Sequence, residues 1–445
     1  MNLEHFKHIE EEPWADEYEH TRTEDEEEDM QSEEDAYEND AYPLLPASLC
    51  PPAHGHEDPW RGPVLLDLEA YFSSERRNAT TASCEMRGGK GTIHVTFCIA
   101  APPLVSYFCL HYTDGLKLSH FEEEPEIVAS EGGLALLCVH LDPGDSDCSD
   151  DEITQYFIYR AGAIPSLTQL PDPRPHHLSK HDITILRHCP NRRRGRGHRA
   201  ASDHHDCGHC KYTIASLRRT THQTYKLTLL HSDTMKWSCE IILTDKDFHH
   251  SSTTNMITIG GKRGTVGWVD LWRGILFCDV LAAEGRRALR YVPLPPSLVE
   301  NPRVRLSRVE KEHFRTGTPR VSRDIAVVNG FIRCVDLQGP RRAWVVHLRR
   351  RIHRRWMVDA GTAQPTLRTL HVGQPTLSLD DDGIVYFLAK IDHRDDDRNG
   401  WVLAVDTAKK TIHGVAEFGC ERTLGLGLVY VTSRISEYFQ ATLGG

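Results

Sequence analysis

Gly267-Trp-Val-Asp-Leu-Trp-Arg-Gly-Ile-Leu-Phe-Cys-Asp-Val-Leu281, a charged loop, and then Leu289-Arg-Tyr-Val-Pro-Leu-Pro295 form the stretch that decides the fold. It reads as two adjacent antiparallel strands. Gly274 opens a short, nearly continuous apolar run, which suits a strand buried on both faces. Residues 282–287 supply a polar turn. Prolines at 293, 295 and 296 end the second strand, because proline has no N–H to give to a ladder.

Working outward, the same unit recurs: a glycine-led apolar strand, a polar turn, an aromatic-bearing strand. Gly133-Leu-Ala-Leu-Leu-Cys-Val139 is followed by Tyr156-Phe-Ile-Tyr159, and Gly330-Phe-Ile-Arg-Cys-Val335 by Trp344-Val-Val-His-Leu348. Gly383-Ile-Val-Tyr-Phe-Leu388 leads to Trp401-Val-Leu-Ala-Val405 and Thr411-Ile-His-Gly-Val415. Gly274, Gly330 and Gly383 stand 56 and 53 residues apart, a loose period near ~50 that points to propeller blades. Between these units lie more short runs rich in aromatic and β-branched residues, such as Val64-Leu-Leu-Asp-Leu-Glu-Ala-Tyr-Phe72 and Thr92-Ile-His-Val-Thr-Phe-Cys98. The expectation is an all-β chain, a propeller-like array of antiparallel strands over residues 61–435, with two packed β-sheets as the alternative. Residues 172–210, dominated by Pro, His and Arg, are expected to be a mobile surface insertion.

The charge is uneven. The 445 residues carry a net −12, yet residues 1–40 hold 18 Asp or Glu against 2 Lys or Arg, which leaves the remainder mildly basic at +4. A segment so charged and so poor in apolar residues cannot offset the entropy lost on folding, so residues 1–60 are expected to be a disordered acidic tail. No stretch approaches the ~18 apolar residues of a membrane helix, and no charged-then-apolar leader precedes the domain. The 13 cysteines are odd in number and many sit inside strand-like runs (Cys98, Cys109, Cys138, Cys278). That placement suits reduced cysteines in the cytosol or nucleus.

The central run Gly267 to Asp279 with Leu289-Arg-Tyr-Val-Pro-Leu-Pro295 resembles the signature of the plant family DUF 1618, which is expanded in grasses. Asn78-Ala-Thr-Thr-Ala82 and Pro102-Pro103-Leu-Val-Ser-Tyr107 resemble the amino-terminal half of the same proteins. The resemblance covers most of residues 60–435, with the signature region at about 265–400. It implies a family label and no activity, cofactor or catalytic residue. The acidic tail, the 172–210 insertion and the Arg-rich run 341–355 depart from the family's pattern.

Three constellations invite chemistry. Cys207-Gly-His-Cys210, with His204, His205, His188 and Cys189 upstream, has the CxxC spacing that bites one zinc ion, but a second well-spaced pair is missing. The run Asp395-Asp-Asp-Arg-Asn-Gly400, with Asp406 at the twelfth position, spells a calcium loop except for its final Asp. Its strand-like flanks favour a plain hairpin turn, and no metal or cofactor is assigned. Arginines at 192–199 and 341–355 are a candidate nuclear-import or nucleic-acid patch, yet no aromatic platform interleaves them, so a solvated edge is the simpler reading. Gly88-Gly-Lys-Gly-Thr92 and Gly260-Gly-Lys-Arg-Gly-Thr265 mimic phosphate loops but lack the required ending, and read as hairpin turns. No catalytic residue is nominated. The expected function is a non-enzymatic module that binds an unknown protein partner through loops on one face, not a membrane or nucleic acid. The alternatives are an F-box-associated-like substrate adaptor and a loop-sited hydrolase.

Overall fold

The computed structural model describes residues 44–55, 60–87, 89, 91–141, 153–189, 210–221, 223–244, 248, 250, 252–295, 319–337, 371–380, 383–390, 399–419 and 428–439. Among them the first sheet contains β1 (Val64–Asp67), β2 (Tyr71–Phe72), β3 (Ala82–Glu85), β4 (Thr92–Cys98) and β5 (Val105–Thr113). The second is β6 (Glu126–Glu131), β7 (Leu134–Leu141), β8 (Ile153–Arg160) and β9 (Ser166–Gln169). The third is β10 (Ile183–His188), β11 (Lys211–Thr221), β12 (Thr224–His231) and β13 (Lys236–Leu243). The fourth is β14 (Asn255–Gly260), β15 (Thr265–Asp270), β16 (Gly274–Asp279) and β17 (Leu289–Pro293). In the fifth, β18 (Arg323–Val328) pairs with β19 (Phe331–Asp336). The sixth is β20 (His371–Leu377), β21 (Ile384–Lys390), β22 (Asn399–Asp406) and β23 (Thr411–Gly419). A last strand, β24 (Tyr430–Ser433), returns to the first sheet and pairs antiparallel with β1.

The signature hairpin shows why these residues fold this way. Asp270 closes the β15–β16 turn: its Oδ1 accepts the Trp272 N–H at 2.9 Å and its carbonyl accepts the Arg273 N–H at 3.0 Å. That fixes the register Trp268↔Leu276 and Val269↔Ile275. Strand alternation then sends Val266, Trp268, Leu276 and Cys278 to one face, where they meet Ala215, Leu227 and Leu229 of the third sheet. Val269, Leu271 and Ile275 go to the other face and meet Ile325 of the fifth. A sheet apolar on both faces must be sandwiched between two others.

The same holds around the chain. Phe97, Phe108, Leu137 and Tyr159 join the first and second sheets, while Leu136, Ile158, Ile185 and Ile214 join the second and third. Ala326 and Val335 pack on Val372 and Phe387 between the fifth and sixth. Finally Leu65, Val105 and Tyr430 pack on Leu388 and Val402, bringing the sixth sheet back to the first. Five small antiparallel sheets and one mixed sheet thus stand radially as a β-propeller, closed by β24. The alternative of two packed sheets is set aside, because the apolar clusters lie between consecutive sheets and complete a circle.

Two boundaries and the phase of the repeat shift. Residues 44–55, placed in the tail by composition, are seated on the first sheet: Leu45 N and Ser48 Oγ donate to Glu124 Oε1 at 2.8 and 2.7 Å, and the Tyr107 hydroxyl donates to the Pro52 and His54 carbonyls. The 172–210 insertion begins too early, since Ile183-Thr-Ile-Leu186 is the buried part of strand β10. The repeat is also out of phase with the glycine spacing. Gly133, Gly330 and Gly383 precede second strands, whereas Gly274 leads a third; Gly264 holds the equivalent place in the fourth sheet. The second strands β7, β11, β15, β19 and β21 begin at 134, 211, 265, 331 and 384, so the period is looser than the glycine spacing implied. One letter had two causes: Gly330 sits at φ +77°, while a Cβ on Gly274 would fall 2.6 Å from the Tyr291 ring.

Candidate functional site: the rim at the ends of the inner strands

The first strands of successive sheets lie side by side, β6 by β10, β10 by β14, β14 by β18 and β18 by β20, and their ends gather at one rim of the ring. Ser130 Oγ and Ser433 Oγ lie 2.7 Å apart and tie the end of β6 to the end of β24. Thr258 Oγ1 reaches the Ile185 carbonyl, which aligns β14 with β10. Asn255 Nδ2 donates to the Ile325 carbonyl at 2.9 Å, which sets β18 beside β14.

A short 3-10 turn, Ile435–Tyr438, lies across this rim. Tyr438 covers the β6–β7 turn, where Gly132 has φ +56° and a Cβ on Gly133 would fall 2.7 Å from the ring. Two glycines are there so that an aromatic ring can lie on the backbone. Above that ring stands the Arg187 guanidinium, 4.7 Å from its centroid, with Nη1 donating to the Tyr438 hydroxyl at 2.6 Å and Nη2 to Cys210 Sγ at 3.2 Å. Arg434 spans the other side: Nη1 donates to Glu437 Oε1 at 2.6 Å and Asp380 Oδ1 at 3.0 Å, and Nη2 to the Leu379 carbonyl at 2.6 Å.

Glu131, at the end of β6, completes the cluster. Burial pushes its carboxyl up to about 7, against the opposing pull of the Arg187 and Arg434 charges. Burial likewise raises Tyr438, and Arg187 opposes it. Further round, large apolar side chains point to solvent: Ile259 at the end of β14 is 46% exposed, and Phe331 and Ile332, just past the β18–β19 turn, are 65% and 43% exposed. The rim therefore offers a half-buried carboxyl that titrates near neutrality, two guanidinium groups and an apolar shoulder.

The residues singled out from sequence fare differently. Cys207, His204 and His205, Asp395 to Asp397, Trp344, and the arginines at 192–199 and 341–355 all lie outside the described residues. His188 ends β10 and contacts Thr213 Oγ1 at 3.2 Å, and His231 contacts the same oxygen at 2.9 Å. Among the described residues, no group of three His, Cys, Asp or Glu stands close enough to hold a metal. Asn399 and Asp406 are the two ends of β22, so an extended strand holds them roughly 23 Å apart. Asp406 therefore cannot be the twelfth-position ligand of a loop starting at Asp395. It instead receives the Lys409 N–H at 2.8 Å and Nζ at 2.9 Å, the backbone bond above all holding its carboxyl below the usual range. Gly260, Gly261 and Gly264 all have positive φ in the β14–β15 connection, so the phosphate-loop mimic there is a hairpin turn. A cleft between Asp67, Glu69, Phe418 and Val429 has about 20 Å³, room for about one water.

Sequence reasoning missed Glu131, Arg187, Arg434 and Tyr438. The one usable signal was the Gly132-Gly133 pair, which marked a place where something lies close to the backbone. No helix among the described residues is long and apolar enough to cross a membrane.

A search of the curated proteins finds no match to this chain. Residues 268–386, from Trp268 in β15 to Tyr386 in β21, match the family model described as protein of unknown function (DUF1618). The matched segment carries Phe331 and Asp380 of the rim, while Glu131, Arg187 and Arg434 lie outside it. The Asp270 turn at its start and the β18–β19 hairpin within it give that match a definite place in the fold, and this segment of the chain is similar to the DUF1618 family.

Proposed function

We propose that the chain is a non-enzymatic protein-interaction module that binds a protein partner through this rim, in the cytosol or nucleus. The observation that carries the reading is the convergence of side chains from separate sheets on one face. Glu131, Arg187 and Arg434 supply charges of both signs, and Ile259 near the end of β14 with Phe331 and Ile332 at the β18–β19 turn supply exposed apolar area. Apolar anchors ringed by charged groups are what a specific protein interface needs. The backbone beneath is ladder and turn, so the surface is preorganised. The compartment rests on the cysteines: burial pushes the Cys138 and Cys278 thiols up to about 12, so they pack as small hydrophobes.

Proximity labelling of full-length chain in its own cells tests this, with Phe331→Asp on the rim and Ile164→Asp away from it as a control. Ile164 is 89% exposed, so neither change disturbs a core. Partners should survive Ile164→Asp and be lost with Phe331→Asp. Retention with both variants refutes the rim. One observation favours a second reading, a loop-sited hydrolase: a carboxyl near 7 is suited to general acid–base work. Turnover on esterase, glycosidase or phosphatase panels that vanishes with Glu131→Gln would favour that reading over the first.

A further inference from the structure

Strands β10 and β11 pair antiparallel from Ile183↔Ser216 to His188↔Lys211. One step further along this register sets Cys189 opposite Cys210. Directly opposed residues of an antiparallel pair have Cα atoms roughly 4.5–5.5 Å apart and side chains on the same face. That separation lies within the roughly 4.4–6.8 Å a disulfide spans. An independent contact fixes the face. Arg187 Nη2 donates to Cys210 Sγ at 3.2 Å, so the Cys210 sulfur is on the Arg187 side, and alternation puts Cys189, two residues after Arg187, on that side too. Both are half-buried thiols, and the guanidinium stabilises negative charge on the Cys210 sulfur.

The geometry points to Cys189 and Cys210 as a reversible dithiol–disulfide couple, oxidised by hydrogen peroxide, at the edge of the rim. The Cys210 thiolate attacks the peroxide, the O–O bond breaks, and hydroxide leaves and takes up the thiol proton as water. The Cys189 thiolate then attacks the resulting sulfenic sulfur. The S–S bond forms, the S–O bond breaks, and the oxygen leaves as a second water. Two electrons pass from the sulfurs to the peroxide. The disulfide takes the thiolate away from Arg187, whose other nitrogen holds Tyr438. The inference is independent of the interaction reading, since the bond forms whether or not a partner binds there.

Full-length chain is treated with stoichiometric hydrogen peroxide, digested without reductant and mapped by mass spectrometry. The expected result is a Cys189–Cys210 linked peptide that dithiothreitol removes and that is absent from Cys189→Ser. The wild-type map suffices even where the variant folds poorly. A Cys207–Cys210 link in its place, or no link at all, overturns the proposal.

Discussion

Replacing Gly133 by alanine probes how the C-terminal turn is held on the rim. An added Cβ would lie 2.7 Å from Tyr438 Cγ, 2.9 Å from Cδ1 and 3.1 Å from Cβ, so the ring must move by about 1 Å to reach ordinary contact. It has little freedom to do so. Its hydroxyl accepts from Arg187 at 2.6 Å and its face lies under the same guanidinium. Overpacking of this kind costs about 1–3 kcal/mol, and a lost hydrogen bond to a charged group adds about 1.5–3 kcal/mol. Because a moved ring keeps part of that bond, the expected loss for Gly133→Ala is about 2–4 kcal/mol. Gly133 does not sit at positive φ, so alanine meets no backbone strain of its own. In a Tyr438→Ala background the same change should then cost about zero, and tightening of the unfolded chain makes a gain of about 0.4–1 kcal/mol the upper end. Denaturant midpoints for the four proteins of this double-mutant cycle measure the coupling. An equal cost of Gly133→Ala in both backgrounds would refute the reasoning, because the penalty would not come from the ring.

Arg323 is buried, with Nε on Asp336 at 2.9 Å, Nη1 on the Leu271 carbonyl at 2.9 Å and its guanidinium 4.5 Å from the Trp272 ring centroid. Arg323→Met strands a nearly buried carboxylate and should cost about 3–5 kcal/mol in chemical denaturation, with Asp336→Leu added recovering most of it. Glu131 carries a pH signature. The folded carboxyl keeps its proton up to about 7, whereas the unfolded one releases it near 4.5, so stability should fall as pH rises through that window. After allowance for solvent screening the fall is about 1–2 kcal/mol, and Glu131→Gln should flatten it; an unchanged slope in the variant assigns the effect elsewhere. For Asp406, melting temperatures of the wild type and of Asp406→Ala should both ignore millimolar calcium. A calcium shift lost with Asp406→Ala would contradict the bonds placed on that carboxylate.

Much of the fold was legible because strand signals are local. Gly274 to Cys278 reads as a buried strand since its residues are apolar on both faces, and both faces do meet neighbouring sheets. The phase of the repeat was not legible, because a glycine says only that a side chain is unwelcome. At Gly330 the cause is backbone conformation; at Gly274 it is the Tyr291 ring. Strand β10 was hidden for a different reason: four apolar residues between Pro/His-rich flanks are too few to stand out in composition. The rim was illegible almost entirely. Glu131, Arg187 and Tyr438 are separated by 56 and 251 residues; the packing of β6 on β10 brings the first two together, and ring closure by β24 brings Tyr438 to them. Composition also drew attention to dense clusters, such as the cysteines at 207 and 210. Meanwhile the partner that the ladder sets opposite Cys210 is Cys189, at the far end of the intervening segment.

The claim that a protein partner docks on the rim is tested most directly by hydroxyl-radical footprinting of the full-length chain with its strongest proximity-labelled partner. Phe331, Ile332 and Ile259 should lose reactivity in the complex, while Ile164 and Leu243, 89% and 76% exposed, should keep theirs. Protection at Ile164 or Leu243 with the three rim residues still reactive would contradict the account.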